Sequence, residues 1–503
     1  MSAKITIGAE AQLHMRSAWQ RSAAVYALFA AAALLLVLPS VLGPPMLYDS
    51  FRISWVWADQ FTSEIAGGNL YPRWLPLSNS GLGSPVFYYY PPLSFYLTAM
   101  FGLLGISTYG SLIASFWASY MLSGITAWHW LKDRASQPLL GAFMFMAAPY
   151  HLFDFTRRGA LAETVAISLI PLLAIGLRRV AERRGVILAT LAYAAIICTH
   201  LPLALLASVL LITPYALWHR HAVRQFATAI GLGIGVAAIY LVPALALEKY
   251  RDVEMLYRYD FFSPEFWSIW NADLELGFVA TLFLLMALLG TLALLLIVTR
   301  RDKWAVLGLG VVAISAGLVP GFWSLPLLAK VQFPYRALPI AEFALITSLA
   351  RAQMKPLTLV ALIPLTFLSA SFLTQPASRE MVTVTQIQAG HPDVPEYLPP
   401  GLLALNDPTA PRNLASKLLP PPVVPGKFVE PHLYFPAWSC GEMHPKTKLL
   451  MHDPSCKPRI VLTTEEVLGA MISLMSLACL ALLAFWHVPI RRKKLPKAQL
   501  FPV

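Results

Sequence analysis

The chain has 503 residues, is 57% hydrophobic and only 13% charged, and has a mean hydropathy of +0.61. Soluble domains carry about 25% charge, so a soluble globular class is excluded. The formal net charge of +12 raises nucleic acid as a partner, but the side of the apolar runs read as cytoplasmic holds 21 Lys and Arg against 4 Asp and Glu, and the other side 17 against 22. That is the positive-inside pattern of a membrane protein, and no nucleic-acid partner is expected. The ~10-residue alternation of a transmembrane barrel is not seen. These features predict an all-α polytopic membrane protein of about 12 spans, set by the roughly 17–25 apolar residues each crossing needs.

The first apolar run, Ser22 to Gly43, is too long for a signal-peptide core and lacks a small-x-small cleavage site, so it reads as a retained anchor. A large outer loop, 44–108, follows. Asp49 lies at the water interface just past the anchor. Phe51 to Ile65 has near-helical apolar spacing and is expected to lie flat as an interfacial helix, with Trp55 and Trp57 at headgroup depth and Asp59 and Glu64 on or near it. Gly67-Gly68-Asn69 ends that helix and Tyr71-Pro72-Arg73-Trp74 turns the chain. Tyr88, Tyr89 and Tyr90, running into Pro91-Pro92, offer a stiff aromatic wall suited to stacking on sugars. The plain alternative for each ring is the aromatic belt.

The apolar stretch 93–105 is expected as a shallow or re-entrant outer helix. Counting it as a span would place Lys132, Arg134 and the Arg178-Arg179…Arg183-Arg184 cluster outside. Further spans are expected near 109–131, 138–153, 161–177, 186–199, 202–218, 226–247, 277–299, 304–319, 336–351, 356–372 and 466–488. The resulting organisation is a transmembrane domain over 1–372, a small, partly β extracytoplasmic domain over 373–465, and a last span with a basic tail over 466–503. Short β-like runs fall at Phe428–Phe435 and Lys448–Met451. Both termini are expected in the cytoplasm.

Ionisable residues at membrane depth are costly and default to functional candidates. Arg157 and Arg158 stand in a short outer connection beside His151, Asp154 and Glu163. Arg336 opens a span six residues before Glu342. Guanidinium forks suit phosphate, so these three arginines are candidate phosphate contacts. The alternative is an internal ion-pair set, such as Arg158 with Glu163 or Arg336 with Glu342. His200 sits between two spans, before Pro202, either as a ligand or as a structural hydrogen-bonded residue. Lys249, Arg251 and Arg258 meet a phosphate or headgroup, or form a solvated face. Cys440 and Cys456, 16 apart in an oxidising compartment, are expected as a disulfide. His432, His444 and His452 lie near them without paired metal spacing, so no metal site is assigned. Cys198 and Cys479 read as packing residues.

A first span, then an acid, an amphipathic outer helix and a loop closing on Pro-Pro before a shallow helix resembles the GT-C superfamily of glycosyltransferases. The stretches 69–97, 148–163 (APYHLFDFTRRGALAE), 199–206 (THLPLALL), 332–338 (QFPYRAL), 395–400 (PEYLPP) and 433–438 (LYFPAW) resemble, more closely, bacterial integral membrane proteins labelled "6-pyruvoyl-tetrahydropterin synthase-related". The resemblance implies transfer of a sugar from a polyprenyl-phosphate-linked donor to an extracytoplasmic glycan, lipid or protein acceptor, in the bacterial inner membrane. It makes Asp49 the general base or acceptor-orienting acid, with Asp59 its rival. The pattern commonly places a His after this acid, where this chain has Ser50-Phe51-Arg52, which weakens a metal-binding role for that corner. The sequence specifies no cofactor and leaves room for a divalent metal. The non-enzymatic alternative is a lipid-linked-glycan carrier or assembly subunit with the same fold. A secondary transporter is disfavoured, because the polar residues crowd one face instead of the midplane.

Overall fold

The structure is a computed structural model of the chain. It describes residues 9–43, 46–257, 259–351, 356–374, 382–388, 391, 393–403 and 414–486. Arg258 and the basic tail beyond 486 lie outside the described residues.

The architecture is a helical bundle built from α1 (Ala9–Leu42), α2 (Asp49–Ala66), α3 (Leu93–Gly102), α4 (Thr108–Leu131), α5 (Pro138–Met146), α6 (Pro149–Phe153) and α7 (Leu161–Ala181). It continues through α8 (Ile187–Ile197), α9 (Leu201–Trp218), α10 (Val223–Val236), α11 (Ala238–Ala246), α12 (Gly277–Arg300) and α13 (Lys303–Ser315). It closes with α14 (Leu338–Ala350), α15 (Pro356–Thr374) and α16 (Thr464–Trp486).

Among the described residues, five helices are long and apolar enough to cross a membrane, and six if the bent α10–α11 pair counts as one. The other expected spans are broken, short or less apolar. The 138–153 run splits into α5 and α6 where Pro149 starts a new helix. The 226–247 run bends by 68° between α10 and α11. Helix α4 has the length but carries a polar stripe, Ser111, Ser115, Ser119 and Ser123, all buried. Each of these hydroxyls returns to a carbonyl of the preceding turn or so, so the stripe costs little and lets α7 pack closely. Helix α7 is buried almost all round and forms the centre of the bundle. Helix α3 is only ten residues long, shorter than a crossing requires.

The 44–108 segment packs into the protein. Helix α2 buries Phe51, Trp55, Val56, Trp57 and Phe61 inside the protein. Trp55 and Trp57 are 2% and 4% exposed, so both rings face the protein interior. Trp57 packs against Phe87, Tyr90, Phe95 and Tyr397. Ring-on-ring burial of this kind outweighs what a single indole gains at an interface. The helix ends where expected: Gly67 caps it, and Gly68 follows at φ 94°.

The C-terminal segment adds a three-stranded antiparallel sheet in the order β3-β5-β4. Here β1 (Met46–Leu47) pairs with β2 (Val382–Thr383), and β3, β4 and β5 are Phe428–Leu433, Glu442–Met443 and Leu449–His452. Cys440 and Cys456 are joined as a disulfide beside this sheet. The sheet sits on the outer loop: Leu433 N–H donates to the Leu82 carbonyl (2.8 Å), and Phe435 packs on Tyr88. A second tie is electrostatic. Arg73 Nε lies 2.7 Å from Glu466 Oε1, with both side chains at most 6% exposed. Glu466 belongs to a capping box at the start of α16, in which Thr463 N–H donates to Glu466 Oε2 and Glu466 N–H donates to Thr463 Oγ1.

Candidate functional site

A cavity of about 1230 Å³ opens between α2, the Tyr89-Tyr90-Pro91 turn, the N-terminal end of α9, α11, the 248–262 and 327–336 connections and the 393–397 segment. Asp49, His200, Arg336, Tyr89 and Tyr90 line it. Its apolar flank includes Leu201, Leu205, Leu245, Leu256 and Leu327.

Asp49 starts α2 at φ 37°. That left-handed conformation is uncommon for a residue with a Cβ, and strain of this kind gathers at functional sites. The corner is fixed on both sides. The β1–β2 pairing holds the chain before it, and Tyr48 donates its hydroxyl to the Phe155 carbonyl (2.7 Å). The carboxylate is open to the water of the cavity, yet protein surrounds it closely. Burial raises its pKa above the ordinary carboxylate value, opposed most by Arg158, then by the Ser50 hydroxyl, Arg52 and Arg336.

Behind the cavity wall lies a buried charge cluster. The chain enters it through a π-turn at Asp154–Arg158, a geometry often found at functional sites. Gly159 follows at φ 60°, and a Cβ there would collide with Phe51, so both backbone and packing demand glycine. Arg158 Nη1 holds Asp154 Oδ1 at 2.6 Å and Glu163 Oε2 at 2.7 Å. Tyr150 donates its hydroxyl to Glu163 Oε1 (2.7 Å), and Thr164 donates to Asp154 Oδ2 (3.0 Å). Arg336 Nε approaches the same Glu163 Oε2 at 3.3 Å, and His200 Nε2 at 3.8 Å. His200 Nδ1 accepts from Leu203 N–H (3.3 Å), capping α9. A ring neutral at Nδ1 carries its proton on Nε2, facing Glu163. Arg336 and His200 therefore connect the buried cluster to the cavity.

Several expected residues stand elsewhere. Arg158 and Glu163 are buried behind the wall rather than lining it. Arg157 is half-buried over the Phe372 ring, 5.8 Å from its centroid, and does not line the cavity. Arg336 does not pair with Glu342, which instead accepts from the Tyr150 N–H (2.7 Å). Asp59 accepts from the Thr108 hydroxyl (2.7 Å) at the start of α4, away from the cavity. Tyr88 faces Phe435 of the outer sheet, whereas Tyr89 stacks on Tyr397 at 6.0 Å with rings 2° apart.

Other groups in the cavity were not singled out as site residues from sequence, apart from Arg251, which the sequence leaves between a phosphate contact and a solvated face. Arg52, Lys330 and Arg251 bring cations, the last 5.2 Å above the Tyr89 ring and 3.3 Å from Glu248. Asp393 and Glu396 bring carboxyls from the segment that carries PEYLPP. Asp393 accepts from Trp57 Nε1–H (2.9 Å). Burial pushes the Glu396 carboxyl up from 4.5 to about 7, helped by Asp393 and opposed by its own backbone N–H and by Arg251. The sequence signal available was an acid fenced by prolines. Among the described residues, no three His, Cys, Asp or Glu side chains gather as a metal site.

Residues 87–256 match the family described as "6-pyruvoyl-tetrahydropterin synthase related domain; membrane protein", the family whose resemblance is noted above. No curated protein matches the chain. Among solved structures the chain is similar to arabinofuranosyltransferase AftD from Mycobacteria, at TM-score 0.43 and 18% identity, over 69% of this chain and 26% of that one. It is also similar to ArnT from Cupriavidus metallidurans bound to undecaprenyl phosphate, at TM-score 0.40 and 15% identity, over 68% of this chain and 63% of that one. The chain thus spans about a quarter of the length of AftD and under two thirds of ArnT.

Proposed function

We propose that this membrane protein is a GT-C-type glycosyltransferase that moves a sugar from a polyprenyl-phosphate-linked donor to an extracytoplasmic glycan, lipid or protein acceptor. The observation that carries the reading is the large cavity, in which a strained, partly desolvated carboxylate, Asp49, shares one chamber with Arg336 and Arg52 and an apolar flank. The donor's phosphate lies toward Arg336, within reach of Arg52, Arg251 or Lys330, and its lipid chain follows the leucine-lined side. Arg158 and Glu163 act from behind, holding Arg336 in place. The acceptor hydroxyl oxygen attacks the anomeric carbon and the carbon–oxygen bond to phosphate breaks. Polyprenyl phosphate departs with that electron pair, and the hydroxyl proton passes to Asp49. A carboxyl with raised pKa accepts this proton more readily than an ordinary one. Tyr89 and Tyr90 offer faces for the sugar. The reading places the site on the outer face of the bacterial inner membrane, with both termini cytoplasmic.

The test is release of polyprenyl phosphate by the purified protein from a panel of polyprenyl-phosphoryl sugars with a cell-envelope acceptor fraction. Asp49→Asn is expected to abolish turnover while donor binding persists. Unchanged turnover would reject Asp49 as base, and loss with Glu396→Gln instead would move the role across the cavity. The second reading, a carrier or assembly subunit, is favoured by the locking of Arg158 and Glu163 into a closed ion cluster. It predicts donor binding with no turnover in any form of the protein.

A further inference from the structure

A second, smaller cavity lies at the other end of the bundle. Glu163 and Arg178 both belong to α7 and are separated by roughly 22 Å at 1.5 Å per residue. Glu163 stands behind the large cavity, whereas Arg178 lines this smaller one, of about 190 Å³. Four cations line the small cavity, Arg134, Arg178, Lys303 and Arg351, against one carboxylate, Glu182.

The cations are not mutually neutralised. Glu182 is taken by Arg134 at 2.5 Å and by Arg184 at 3.3 Å. Among the described residues Arg178, Lys303 and Arg351 make no ion pair. Arg178 and Lys303 are nevertheless positioned. Arg178 donates to the Trp130 carbonyl (3.4 Å) and lies 5.4 Å from that ring's centroid, while Lys303 lies 4.7 Å from the centroid of Trp218. Trp130, Trp304 and Tyr215 form the aromatic wall. Burial, and next Lys303, hold the His219 imidazole in that wall below its ordinary pKa.

Topology alone asks only that cations lie on one side of the membrane. It does not ask that they converge on one concavity with excess positive charge, two of them, Arg178 and Lys303, each braced by an indole. We infer that this cavity is an anion site for a phosphate monoester, carried either by a lipid headgroup or by a small soluble ester. A dianion matches the surplus of cations better than a single carboxylate, and guanidinium forks suit its oxygens. The volume is roughly that of six waters at ~30 Å³ each, enough for a phosphate group and too little for a nucleotide. The inference is independent of the chemistry proposed for the large cavity.

The test uses the full chain in detergent. Native mass spectrometry compares phosphatidic acid with phosphatidylcholine, and tryptophan fluorescence follows inorganic phosphate against chloride at equal ionic strength. The wild-type protein is expected to retain phosphatidic acid preferentially. The pair Arg178→Gln, Lys303→Gln is expected to lose about tenfold or more of that affinity, as loss of charge-assisted hydrogen bonds implies. A charge-matched pair outside the cavity, Arg220→Gln, Arg224→Gln, is expected to stay within about twofold, as solvated surface charges do. Retention of phosphatidic acid without a phosphate response identifies the lipid as the source. A phosphate response without lipid preference identifies a soluble ester. Absence of both in the wild-type protein overturns the site, whether or not the variants fold, and so does an equal loss from the two variant pairs.

Discussion

At its N-terminal end α7 presents Glu163 to Arg158, Arg336 and His200, all at most lightly exposed. At its C-terminal end the chain presents Glu182 to Arg134 and Arg184, at 31%, 43% and 74% side-chain exposure. The residue types are the same and the distances are similar. What differs is water. In the first setting every carboxylate oxygen and guanidinium must be matched inside the protein, because an unmatched buried charge is very costly. In the second, solvent makes up any shortfall, so cations can stand unpaired and available. Charge in a membrane protein therefore has to be weighed by what surrounds it before a role is assigned.

The sharpest test of that contrast is Asp49→Asn, expected to lower turnover by about 10²–10⁴-fold, the usual share of a general base, measured as release of polyprenyl phosphate. Next, Arg158→Met strands Asp154 and Glu163 together and is expected to destabilise the protein by about 3–5 kcal/mol, read as a fall in thermal midpoint. A smaller effect follows from Glu396, whose pKa rises on folding from 4.5 to about 7. A raised carboxyl contributes stability below its unfolded value and loses it as pH climbs through the folded one. Stability should fall between about pH 4.5 and 7 by up to about 3 kcal/mol, and Glu396→Gln should flatten that slope in melts at stepped pH. Smallest of all, Glu182→Gln should change stability by under about 1 kcal/mol, as exposed pairs do. An effect as large as that of Arg158→Met would erase the distinction between the two ends.

Local features were legible in the sequence where local physics decides them. The Gly67-Gly68 stop, the short helix after Pro91-Pro92 and the strand near Phe428 all follow from turn chemistry and apolar spacing. Tertiary pairing was not legible. Arg336 and Glu342 are close in the chain, yet six residues of helix turn the second roughly 240° away from the first, and Glu163 takes the arginine instead. Asp49 and Asp59 share α2, but ten residues set them about 15 Å apart along its axis, so they cannot be alternatives for one position. Asp393 and Glu396 reach the cavity from a part of the chain with no periodicity to read. The π-turn at Asp154 similarly leaves no pattern beyond the glycine that closes it.

The contact between Arg73 and Glu466 implies an order of assembly. A ribosome feeds out the segment that carries Arg73 long before α16, and chains fold as they emerge. Until α16 arrives, the guanidinium has the Ile239 carbonyl (2.9 Å) to donate to but lacks its carboxylate. The chamber is thus finished by a piece of chain made long after its first walls, so a product truncated before α16 would carry most of its walls and none of its latch.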